Sequence, residues 1–73
     1  MKIYERLNKY LKDNGIKQSF VSEKSGIPEN TLSMILNGKI KLDADRLEDI
    51  LLALNISANE IYKTPVNEIS DTN

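Results

Sequence analysis

Seventy-three residues hold at most one small domain, and with neither cysteine nor histidine they offer no disulfide, no thiolate or imidazole zinc site and no imidazole-based triad. The chain is 29% charged and 40% hydrophobic, a globular balance and not a disordered one. Its net charge of −1 hides a split, because residues 1–41 sum to +4 and residues 42–73 to −5.

The first apolar pattern is Ile3, Leu7 and Leu11, a step of four that predicts an amphipathic helix over about residues 2–13. Asn14-Gly15 is a C-terminal stop for it. A second short helix is expected from about Gln18 to Ser25, carrying Phe20 and Val21 and ended by Gly26. Ile27-Pro28 restarts the chain, since proline suits a first helical turn where its missing N–H is no loss. The third helix, about 28–36, turns Leu32 and Ile35 inward and stops at Asn37-Gly38.

Asp43 is a suitable N-cap for a fourth helix over about 44–54, with Leu47, Ile50, Leu51 and Leu54 on one face. Ser57 and Glu60 fit a capping box for a last short helix containing Ile61 and Tyr62. From Lys63 to Asn73 few large apolar groups remain, and a flexible tail is expected after a domain over residues 1–62. No stretch alternates with period two, so the fold class is all-α. The longest apolar stretch, Ile50–Leu54, is far short of the roughly 18 residues a membrane span needs. Nothing at the N-terminus looks like a signal peptide, and the expected compartment is the cytoplasm.

Residues 16–39 hold the informative pattern. Two short helices meet at Gly26, and the second places Asn30, Ser33, Met34 and Asn37 opposite its apolar side, with Glu29 on the flank. A short helix with compact polar groups outward and bases beside it fits a major groove.

These features resemble the helix-turn-helix domains of phage Cro and repressor proteins, the XRE family. The resemblance rests on Gly15-Ile16-Lys17-Gln18, the Gly26-Ile27 turn, Thr31-Leu32-Ser33, Ile35, Asn37-Gly38-Lys39 and Leu54-Asn55-Ile56-Ser57, and it spans about residues 3–62. It implies a five-helix, lambda-repressor-like domain whose second and third helices form the helix-turn-helix. It implies a transcriptional regulator, of the small phage or mobile-element repressor type, that binds operator DNA as a homodimer with its third helix in the major groove. By position, Glu29, Asn30, Ser33 and Met34 resemble the base-reading set. Asn30 suits adenine, Glu29 cytosine N4 and Met34 a thymine methyl. Gln18 resembles the glutamine that contacts phosphate at the start of helix two, and Lys17, Asn37, Lys39 and Lys41 are further candidates for phosphate. The Ile56, Ser57, Ala58, Asn59 turn, with Ile40 and Leu42, is the candidate dimer face. No cofactor, metal or small-molecule ligand is implied.

Plainer roles stand beside these. Asn37 also suits a helix end, Met34 can cover apolar neighbours, and Glu29 is repelled by phosphate unless it finds a cytosine. Phe20, Leu36 and Leu52, apolar where the family often has polar residues, belong either to the core or to a dimer face. Lys17 and Pro28 replace the usual capping Ser or Thr before helices two and three. The third helix carries no arginine, the commonest guanine reader, so an A·T-rich operator is expected. Asp43, Asp45, Glu48 and Asp49 do not form a calcium loop, because Glu48 and Leu54 stand where Gly and Glu are required. An enzyme is not expected. The rival reading keeps the fold but gives it a protein partner, as in an antitoxin or antirepressor. Substituting Lys39 and Lys41 separates the two.

Overall fold

The computed structural model describes residues 1–63, and the expected tail beyond Lys63 lies outside the described residues. Five helices follow one another: α1 (Ile3–Asp13), α2 (Gln18–Ser25), α3 (Glu29–Leu36), α4 (Ala44–Leu54) and α5 (Ala58–Tyr62). Among the described residues there is no strand, and no helix is long and apolar enough to cross a membrane. The five expected helices are all present, with ends that differ by a residue. Lys2 stands outside α1 as its N-cap and donates its backbone N–H to Glu5 Oε1 at 2.7 Å.

The helices stop where backbone geometry makes them stop. At the end of α1 the Ile16 N–H reaches back to the Leu11 carbonyl at 2.8 Å, and at the end of α3 the Lys39 N–H reaches the Met34 carbonyl at 2.8 Å. α4 ends alike, on Asn55 in the left-handed conformation with the Ile56 N–H on Leu51 O at 3.1 Å. These six-to-one bonds satisfy carbonyls that would otherwise be orphaned at a helix end. Asn14 and Asn37 add a side-chain bond each, donating Nδ2 to Tyr10 O at 2.9 Å and to Ser33 O at 2.8 Å.

The core is Leu7 and Leu11 of α1, Val21 of α2, Ile27 of the turn, Leu32, Ile35 and Leu36 of α3, Ile50 of α4 and Ile61 of α5. α2 packs against α3 and α4, while α1 packs against α3 and α5. The first and last helices are also clasped by Arg6, which lies 5.5 Å from the Tyr62 ring centre and donates Nη1 to the Tyr62 carbonyl at 3.4 Å. Asp43 caps α4 as expected, its carboxylate accepting the Arg46 N–H at 2.8 Å.

One alternative is decided and two expectations are corrected. Leu36 does fill the core, at 1% exposure, but Phe20 at 45% and Leu52 at 72% do not. Leu52 lies about 160° around α4 from the buried Ile50, and Phe20 about 100° around α2 from the buried Val21. Pro28 is the N-cap of α3 and not its first helical residue, because its ψ of 142° is extended. Ser57 is the N-cap of α5, yet its side chain makes no capping hydrogen bond; its carbonyl accepts the Glu60 N–H at 3.1 Å instead.

Candidate nucleic-acid interface

α2 and α3 meet through a turn whose conformation is set by glycine and two hydroxyls. Gly26 has φ of 80°, the left-handed region that costs a residue with Cβ about 1–2 kcal/mol. The Ser22 hydroxyl donates to the Ile27 carbonyl at 2.6 Å, across the turn. Ser25 Oγ accepts the Ile27 N–H at 3.2 Å, so both backbone groups of the buried Ile27 are satisfied by side chains. Neither serine is singled out by the sequence reading. Their signal was local: Ser and Thr readily bond nearby backbone where a helix ends. Ser22→Ala should leave the Ile27 carbonyl unpaired and lower stability by about 1–2 kcal/mol. Thermal unfolding monitored by circular dichroism measures it, and an unchanged midpoint would show that the bond does not hold the turn.

The turn fixes α3 so that Leu32, Ile35 and Leu36 face the core. Glu29, Asn30 and Met34 are exposed, Ser33 is half-buried at their flank, and Asn37 is exposed just past the helix. Asn30, Met34 and Asn37 are spaced four and three apart, so they form one outward stripe. In the free chain Asn30 Oδ1 accepts the Thr31 N–H at 2.9 Å. To pair with adenine through both amide atoms, it must turn away from that bond or share its second lone pair. Asn37 has a fold role in hand, since its amide bond to Ser33 repeats what Asn14 does for α1. One of its two amide hydrogens is left over.

The phosphate candidates lie at the start of α2 and in the loop after α3. Lys17 is the N-cap of α2 and provides no side-chain cap, as its chemistry requires. Pro28 provides none for α3. The first N–H groups of α2 thus have no side-chain acceptor, which favours anions there, whereas in the first turn of α3 Asn30 Oδ1 already holds the Thr31 N–H. Gln18 is the half-buried first residue of α2. Lys39 and Lys41 are exposed in the α3–α4 loop. No ion pair among the described residues engages Lys17, Lys39 or Lys41. The dimer candidates divide: Ile40, Leu42 and Ile56 pack half-buried against the core, whereas Ser57, Ala58 and Asn59 are exposed.

A family model described as the Cro/C1-type HTH DNA-binding domain matches residues 6–66, most of the chain. The chain belongs to the Cro/C1-type helix-turn-helix family. No curated protein and no solved structure matches it. As a Cro/C1-type domain it is a DNA-binding regulator whose partner is double-stranded DNA.

Proposed function

We propose that this chain is a sequence-specific repressor of the phage or mobile-element type, acting in the cytoplasm and binding a two-fold operator as a homodimer. α3 lies in the major groove, with Asn30 on adenine, Met34 on a thymine methyl, and Glu29 and Ser33 beside them. Lys17, Gln18, Lys39 and Lys41 hold phosphates on either side and set the register, with the remaining amide hydrogen of Asn37 beside them. The dimer forms through the Ile56–Asn59 turn, where the exposed Ser57, Ala58 and Asn59 have surface to give; Ile40 and Leu42 serve the core first. The observation that carries this reading is the exposed polar stripe on α3 flanked by lysines that no carboxylate neutralises.

Selection of bound duplexes from a randomised pool tests it. A two-fold symmetric site is expected, with A·T-rich half-sites about 10 base pairs apart. Asn30→Ala should then cost about 1–3 kcal/mol at one base position and leave the other positions alone. A G·C-dominated site would refute the adenine assignment, and a single enriched half-site would remove the dimer. Equal binding to every duplex would transfer the function to a protein partner.

A further inference from the structure

Two surface features complement each other without touching. The first is Leu52, at 72% the most exposed large apolar residue described. Glu48 and Asp49 precede it by four and three residues and share its face of α4, with the exposed Asp45 one turn further back. None of these three acids belongs to an ion pair among the described residues. The second feature is an open hollow of about 360 Å³ between the start of α1 and the α3–α4 loop. Ile3, Tyr4, Ile40 and Leu42 give it an apolar lining, and Lys2, Lys39 and Lys41 stand around it. Those lysines too are without ion-pair partners among the described residues.

We infer that these features bind each other between copies of the chain: Leu52 of one copy enters the hollow of another, with Asp45, Glu48 and Asp49 against Lys2, Lys39 and Lys41. The match is double. An apolar knob meets an apolar hollow of sufficient size, and three uncompensated negative charges meet three uncompensated positive ones. Burial of the leucine supplies the attraction, and the opposed fields orient the encounter. Packing two α4 faces on each other would instead set acid against acid. The contact covers Lys39 and Lys41, so, on the function proposed above, DNA excludes this contact but not the dimer at the Ile56–Asn59 turn. Free protein is then held in a self-associated form that duplex DNA takes apart. That last consequence rests on the phosphate role of the two lysines; the contact itself does not.

Sedimentation equilibrium of the full chain, without DNA and at low ionic strength, tests the contact. Leu52→Ser removes the knob, and the double variant Lys2→Glu/Lys41→Glu reverses the charge around the hollow. All three side chains are exposed, so circular dichroism should show folded variants. The unaltered chain should associate, and each variant alone should associate at least about tenfold more weakly. An equimolar mixture of the two variants should recover one strong contact, because one keeps the hollow and the other keeps the knob. A monomeric unaltered chain overturns the proposal, and so does a mixture no tighter than its components. Added duplex should dissociate the self-associated form. If the chain bound no duplex at all, the DNA reading would fail while the association data would still stand.

Discussion

Gly38→Ala should lower stability by about 1–3 kcal/mol, a large part of the roughly 3–10 kcal/mol that a domain of this size has to lose. Two costs coincide there. The φ of 74° is left-handed, worth about 1–2 kcal/mol against any residue with Cβ. A Cβ at this position would also lie 2.5 Å from Tyr4 Cζ and 2.6 Å from its hydroxyl oxygen, so the half-buried ring must swing aside, at a further cost of up to about 1 kcal/mol. Gly15 separates the two terms. Its φ is 63° but a Cβ there would meet nothing within 4 Å, so Gly15→Ala should pay the backbone share alone. Urea denaturation of both variants, and of Gly38→Ala combined with Tyr4→Ala, measures each share. Equal losses at Gly15 and Gly38 would refute the steric part. Because Gly38 leads directly into Lys39, its substitution should also displace the lysine loop and weaken DNA binding.

Lys39→Ala combined with Lys41→Ala should cost about 100-fold in DNA affinity near 0.1 M salt. Each phosphate contact releases about 0.9 of a counterion, which is roughly a factor of ten at that concentration. The slope of log affinity against log salt should fall in magnitude by about two. The loss should be the same for operator and random duplex, since phosphate carries no sequence. Lys9→Ala is the fitting control. Lys9 is paired with Asp13 at 3.2 Å on α1, and its removal should change little. Fluorescence anisotropy titrations at several salt concentrations provide the measurement. A loss confined to the operator would move the two lysines from phosphate to base contact, and no loss at all would favour a protein partner over DNA.

What the sequence shows and what it withholds follows the range of the forces. Leu7 and Leu11 announce α1, and Asn-Gly announces the ends of α1 and α3, because periodicity and left-handed caps are local matters. Asp43 is readable for the same reason, three residues from the N–H it accepts. Leu36, Phe20 and Leu52 are not separable in this way. All three are apolar residues on short helices, and only the packing of α2, α3 and α4 decides that the first is covered and the others are not. The contact of Tyr4 with Gly38 joins residues far apart in the chain, and no local rule reaches it. At the interface, the lysines could be placed because loops and helix starts are exposed almost by definition. The turning of Asn30 onto Thr31 could not, since it depends on side-chain rotation that spacing does not encode.

The way α3 is held has a consequence for what the domain can become. Its position is set by Leu32, Ile35 and Leu36 beneath it, by Ser22 and Ser25 in the turn before it, and by Gly38 after it. Glu29, Ser33 and Met34 bear none of that weight, and Asn30 bonds only its own neighbour Thr31. On the function proposed above, the letters that address a DNA site are thus written on a rod anchored from behind, and they are interchangeable without disturbing the mounting. A lineage carrying this domain can retarget itself by a few surface replacements, whereas a change to either serine or to Gly38 would spoil every target at once.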